Sequence, residues 1–198
     1  MKYQIKVRSA TEGFAGFLQL KSYRLAHSLY AGGMSEDIVR ERVERLRAVA
    51  VLLYDPHLDR IVLVEQFRIG ALEQEAGAWL LEIVGGMWDP EHSAEEVARK
   101  ESREEAGCEV LDLEPISDVW MSPGTSCERV QLFCGRVDAS AAGGIHGLDE
   151  EGEDIKVVTL AFDEALRAVA DGRIAAATAL ITLYWLAANR ERLRRDWR

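Results

Sequence analysis

Glu101 and Glu105 lie one helical turn apart in a stretch that should otherwise face a hydrophobic core. At about 100° of turn per residue, a helix over residues 93–108 puts Ala94, Val97, Ala98 and Cys108 on one stripe, with both glutamates at its centre and Glu104 beside them. Carboxylates held against apolar surface lose hydration and repel one another, so they protonate unless a cation sits among them. A divalent metal is the simplest such cation. Mg²⁺ takes near-octahedral oxygen coordination at about 2.0–2.1 Å and keeps several waters, which suits a few glutamates spaced by one turn. Glu101 and Glu105 are therefore the first expected ligands, with Glu104 a third ligand or an orienting neighbour. The competing explanation is a solvated acidic face. Glu95, Glu96, Arg99, Lys100 and Arg103 already make that outer face, however, and leave the inward pair unexplained.

The helix that carries these groups has clear boundary signals. Ser93 and Glu96 form an S-x-x-E capping box, and Gly107 stands where a left-handed residue ends a helix. Upstream, residues 79–84 read as a buried strand running into Gly85-Gly86, with Pro90 before the cap. Residues 48–54 and 60–65 are apolar and β-branched, and they flank Asp55-Pro-His-Leu-Asp59, which predicts an antiparallel hairpin. Further strands are expected over 110–113, 116–121, 129–137 and 156–161. Two helices close the chain, one over 163–171 begun by an Asp cap and an alanine-rich one over 175–195. Residues 37–47 are ambiguous: Val39, Val43 and Leu46 have helical spacing, while the alternation of Val with charge fits a strand. The first fifty residues alternate short apolar runs with Gly13, Gly16, Gly32 and Gly33, a pattern of strands and turns. Strands mixed with three helices imply an α/β class, with a sheet covered on both faces. The expected division is a strand-rich N-terminal region over 1–47 and a main domain over 48–198.

The residues from Gly86 to Cys108 resemble the Nudix box, G-x5-E-x7-R-E-U-x-E-E-x-G-U with U apolar, without insertion or deletion. Gly86, Glu101, Glu104, Glu105 and Gly107 match. Three positions depart: His92 replaces the first Glu, Lys100 the Arg, and Ser102 an aliphatic residue. The first two are normally partners in an ion pair; Glu91 is offered as an alternative partner for Lys100. The likeness extends to Glu65-Gln-Phe-Arg-Ile69, 81–86, Ser122-Pro-Gly124, Glu128-Arg129, 144–148 and Glu151-Gly-Glu-Asp154, and is similar to the ADP-ribose pyrophosphatase branch. That resemblance implies the Nudix fold, a mixed β-sheet between helices with an N-terminal β-rich extension. It implies Mg²⁺ as cofactor, with Mn²⁺ able to substitute, and the Gly85 carbonyl as a further ligand. In the acidic loop 149–154, which alone would read as a solvated loop, it implies Glu151 as catalytic base and Glu153 as metal ligand. Arg45 and Arg68 align with substrate-binding arginines, whose guanidinium forks suit pyrophosphate oxygens. Glu82 and Glu128 are candidates to accept hydrogen bonds from the base or the riboses, and Phe14 and Phe17 to stack on the base. The expected reaction is hydrolysis of ADP-ribose to AMP and ribose 5-phosphate. The alternatives are a GDP-mannose or other nucleotide-sugar pyrophosphatase and a non-catalytic ADP-ribose sensor; removal of oxidised nucleoside triphosphates fits less of the likeness. A homodimer with exchanged N-terminal strands is implied as well.

Composition narrows the partners. A net charge of −10 argues against a nucleic-acid polyanion and favours a protein that gathers divalent cations. The C-terminal arginines 190, 192, 194, 195 and 198 are expected to complement the negative end of the last helix rather than bind nucleic acid. No apolar run approaches the ~20 residues of a membrane span, and no basic-then-apolar leader opens the chain, so a cytoplasmic protein without membrane contact is expected. Cys108, Cys127 and Cys134 are odd in number and lack C-x-x-C spacing. Reduced thiols are expected, with Cys108 in the core.

Overall fold

A computed structural model describes residues 3–45 and 47–197. Leu46, part of the ambiguous stretch, and Arg198 lie outside the described residues. The chain divides into two compact units, Met1–Leu46 with Trp120–Arg129, and Arg47–Val119 with Val130–Arg198.

In the first unit, β1 (Ile5–Ala15), β2 (Gln19–His27) and β3 (Ile38–Glu44) form an antiparallel sheet in the order β1-β2-β3. The stretch with two possible periods is thus a strand. Ile38, Val39 and Val43 are β-branched, and β2 offers an unbroken ladder from Gln19↔Glu44 to Leu25↔Ile38, whereas a helix there needs an apolar surface to face. The turn within Trp120–Arg129 is tied to β3 through Val43, whose N–H donates to the Thr125 carbonyl at 2.8 Å.

The second unit contains β4 (Ala48–Asp55), β5 (Arg60–Phe67), β6 (Trp79–Glu82), β7 (Val84–Met87), α1 (Ala94–Ala106), β8 (Asp112–Trp120), β9 (Arg129–Arg136), β10 (Ile145–His146), β11 (Ile155–Ala161), α2 (Phe162–Ala170) and α3 (Ala177–Asp196). Its mixed sheet runs β10-β11-β5-β4-β9-β8, with β4 and β9 parallel. The predicted hairpin forms, but β4 and β5 pair only beside their turn, over Leu53–Asp55 and Arg60–Val62. Beyond that point they part. The start of β4 pairs with β7, and the end of β5 pairs with β6. Residues 79–84 are therefore two short strands, broken at Ile83, that cross the gap between β5 and β4 and bring Gly85 opposite Ala50.

Alternation along β4 sends Val49, Val51 and Leu53 to one side, where with Val62 and Val64 they pack against Ala94, Val97 and Ala98 of α1. Tyr54 points to the other side, where its hydroxyl donates to Asp59 at 2.7 Å and Arg190 of α3 pairs with the same carboxylate. Helices thus cover both faces of the sheet. Residues 110–121 give one strand, β8, in place of two; Pro115 is tolerated because β8 is the sheet edge, where no second neighbour needs its missing N–H. The helix expected at Asp163 starts at Phe162, with Ala161 as cap. Phe162 is buried, and its N–H donates to the Asp59 carbonyl, which leaves Asp163 in the first turn, where a negative charge is favourable.

Candidate functional site

The local chemistry of α1 fixes the direction of its carboxylates. Ser93 Oγ accepts from the Glu96 N–H at 3.2 Å, and Glu96 returns a bond to the Ser93 N–H at 2.8 Å, so the predicted capping box is complete. Gly107 closes the helix at φ 62°. Between these ends, Ala94, Val97, Ala98, Ser102, Glu105 and Ala106 are buried. Ser102 occupies an apolar position at no hydrogen-bonding cost, because its hydroxyl donates to the Ala98 carbonyl at 2.7 Å.

Glu105 is the most deeply placed carboxylate of the group, 3% exposed. Its Oε2 accepts the Gly85 N–H at 2.9 Å, and Gln66 Nε2 lies 3.5 Å from Oε1. Burial pushes the Glu105 carboxyl up to about 7, against the Gly85 hydrogen bond and with the help of the Glu101 and Glu153 charges. Glu101 is raised for the same first reason, burial, with Lys100 opposing and Glu104, Glu153 and Glu151 adding to it. Five acidic side chains thus share one field. The strand opposite is shaped to receive whatever they hold: a Cβ on Gly86 would collide with the Glu101 carboxylate, and one on Gly85 would come within 3.0 Å of the Val49 carbonyl.

The acidic loop approaches from β10 and β11. Gly147 N–H donates to the Glu104 carbonyl at 3.1 Å, which ties the loop to the last turn of α1. Asp149–Glu151 form a short 3-10 turn in which Glu151 is exposed. Glu153 is half-buried and its Oε2 accepts the Leu148 N–H at 3.1 Å. Lys100 Nζ lies 2.7 Å from Glu104 and 3.7 Å from Glu101, so its partners are on its own helix rather than at Glu91. The carboxylates surround the cradle without closing on a point. Among the described residues no three His, Cys, Asp or Glu side chains converge as a finished cation cage, as like charges with one ammonium among them should behave. A buried carboxylate and its half-buried, mutually repelling neighbours, facing a surface without a Cβ, are a fit for a hard divalent cation.

The four residues expected to touch substrate form two ion pairs. Arg68 and Glu82 meet at 2.6 Å in the second unit, with the Glu82 side chain 15% exposed, and the Arg68 charge reaches Glu105. Arg45 and Glu128 meet at 3.5 Å in the first unit. Phe14 and Phe17 are exposed there. Each arginine is thus held by a carboxylate and keeps part of its side chain in contact with solvent.

No local motif marks Gln66. Its signal is positional: it continues the Val62–Val64 row that faces α1, and a polar side chain at an inward strand position must find a polar partner. The C-terminal arginines likewise have specific partners. Arg190 binds Asp59, Arg192 binds Glu114 at 2.6 Å, and among the described arginines Arg194 and Arg195 lie in the last turn, Arg194 also 3.6 Å from Asp59. Cys108 is buried, as expected, and all three cysteines are free thiols. No helix among the described residues is long and apolar enough to cross a membrane.

Comparison with known proteins agrees with this geometry. A family profile described as the NUDIX domain matches residues 44–180. The ADP-ribose pyrophosphatase of Haemophilus influenzae is 43% identical over 188 residues, covering 93% of this chain and 87% of the relative. That of Escherichia coli K12 is 39% identical over 196 residues, covering 99% and 94%. A GDP-mannose pyrophosphatase of Pectobacterium atrosepticum is 36% identical over 148 residues, covering 72% and 73%. Among solved structures, one described as an ADP compounds hydrolase superposes with a TM-score of 0.70 over 94% of this chain and 96% of its own, at 17% identity, a likeness of fold.

Proposed function

The chain belongs to the NUDIX family, and from that premise we propose that it hydrolyses the diphosphate bond of ADP-ribose, releasing AMP and ribose 5-phosphate. The observation that carries this reading is Glu105, buried one turn from Glu101 and accepting the N–H of Gly85, where a Cβ would crowd the Val49 carbonyl. Support for the substrate comes from the relatives named as ADP-ribose pyrophosphatases, which match nearly the whole chain, whereas the GDP-mannose pyrophosphatase matches under three quarters of it.

In this reading Glu101, Glu104, Glu105, Glu153 and the Gly85 carbonyl hold Mg²⁺, with Mn²⁺ as an acceptable substitute. A bound divalent ion neutralises charge on the phosphoryl oxygens and fixes them in line. Glu151 takes the proton of the attacking water; its exposed position on the acidic loop leaves it free to meet solvent. Water adds to one phosphorus, the bridging P–O bond breaks, and the two monophosphates leave. In the second unit Arg68, aimed by Glu82, binds diphosphate oxygens with its guanidinium; in the first unit Arg45, held by Glu128, offers a substrate group of the same kind, and the two carboxylates can accept hydrogen bonds from the nucleoside or the terminal ribose.

The protein acts as a cytoplasmic homodimer that exchanges N-terminal strands. Every residue of β1 is exposed, including Ile5, Val7 and Phe14, and it is the edge of its sheet. A long exposed edge strand that carries Ile5, Val7 and Phe14 is what pairing with a second copy would cover. Substrate profiling tests the activity: with Mg²⁺ in ¹⁸O water, ADP-ribose should give labelled monophosphate faster than GDP-mannose does. Preference for GDP-mannose would transfer the assignment to the nucleotide-sugar enzymes, and ADP-ribose binding without product would mark a sensor.

A further inference from the structure

Lys100 stands where the resembling box carries an arginine, and the acid that such an arginine would pair with is His92 here, which is exposed. Freed from that pairing, the lysine turns to the carboxylates. Its ammonium lies 2.7 Å from Glu104 Oε2 and 3.7 Å from Glu101 Oε1, and Glu151 adds to the negative field around it. The side chain is 52% exposed, so a long, flexible stem can withdraw its charge to water without disturbing the core.

We propose that Lys100 is the resident counter-cation of the metal-free site, holding Glu104 until a divalent ion arrives and displaces it. The inference rests on the reading of these glutamates as cation ligands. It makes a prediction of opposite sign from a supporting role. A lysine that merely props Glu104 toward the cradle would weaken cation binding when removed. A lysine that competes for Glu104 would strengthen it, because a unit positive charge a few ångströms from the incoming ion is gone and Glu104 is released.

Mn²⁺ affinity, measured by calorimetry and by the loss of the free-ion electron paramagnetic resonance signal, separates the two. Lys100→Met should bind Mn²⁺ about tenfold more tightly than the wild type, and Lys100→Arg, which keeps the charge, should stay within about twofold. In a Glu104→Gln background the gain from Lys100→Met should shrink, since the displaced contact is already lost. In EDTA at neutral pH, Lys100→Met should melt below the wild type, because its carboxylates lack their cation. Equal or weaker Mn²⁺ binding by Lys100→Met, with the wild type binding normally, would overturn the counter-cation role alone. Failure of the wild type to bind Mn²⁺ would overturn it together with the reading on which it rests.

Discussion

Replacing Glu105 with Gln should stabilise the metal-free protein at alkaline pH while removing its activity. The Glu105 carboxyl is pushed from an ordinary 4.5 to about 7, first by burial. A carboxyl whose folded-state value is raised binds more protons folded than unfolded between those two pH values, so stability is full below about 4.5 and falls as pH rises through about 7. At about 1.4 kcal/mol per pH unit, that interval corresponds to about 3 kcal/mol lost by pH 8. Gln has nearly the same shape, keeps an oxygen to accept the Gly85 N–H, and carries no charge to desolvate. The variant should therefore match the wild type near pH 4.5 and exceed it by about 3 kcal/mol at pH 8. For a chain of this length that difference amounts to a rise of about 6–12 °C in Tm. Thermal melts followed by circular dichroism in EDTA, at half-unit steps from pH 4.5 to 8.5, measure the difference directly. Added Mg²⁺ should raise the wild-type Tm by mass action and the variant's far less, narrowing or reversing the order. A difference that does not change with pH, or a variant less stable than the wild type at pH 8, would refute the argument that Glu105 is held at a desolvated, repulsive position.

Three further perturbations follow from the geometry. Glu151→Gln should lower kcat by about 10²–10⁴-fold with ADP-ribose binding retained, in steady-state kinetics and calorimetry, because a general base acts on the attacking water rather than on affinity. Gly86→Ala drives a Cβ into the Glu101 carboxylate, which must swing aside, so Mn²⁺ binding in calorimetry should fall several-fold while stability in urea titration changes by less than about 1 kcal/mol; unchanged Mn²⁺ binding would mean the Glu101 position is not needed for the ion. Arg190→Ala removes the partner of Asp59 on the face of the sheet away from α1; a stability loss of about 1.5–3 kcal/mol with kcat unchanged is expected from chemical denaturation and turnover assays.

The parts legible in the sequence were those governed by local periodicity and capping. The stripe of α1, the Ser93–Glu96 box and the Gly107 terminus depend on residues within a turn of one another, and the helix forms as they require. The hairpin of β4 and β5 was readable for the same reason. What escaped was set by distant partners. Residues 79–84 look like one strand because both pieces are apolar, yet β5 claims the first and β4 the second. Residues 37–44 could not be decided until β2 supplied a ladder. Gln66 is silent in the sequence because its meaning comes from Glu105, 39 positions away, and the choice of Lys100 between Glu91 and Glu104 depends on loop geometry that spacing does not carry. The arginine tail illustrates the same limit: composition suggested a generic helix-end charge, while Asp59 and Glu114 give Arg190 and Arg192 individual partners.

The most direct test is crystallographic. In crystals of the protein soaked in Mn²⁺ and measured at the manganese edge, an anomalous peak should lie between the Glu101 and Glu105 carboxylates and the Gly85 carbonyl, with Glu104 turned toward it. Fully occupied crystals in which that position carries no peak, and manganese binds elsewhere or nowhere, would contradict the claim that these inward glutamates exist to hold a divalent ion.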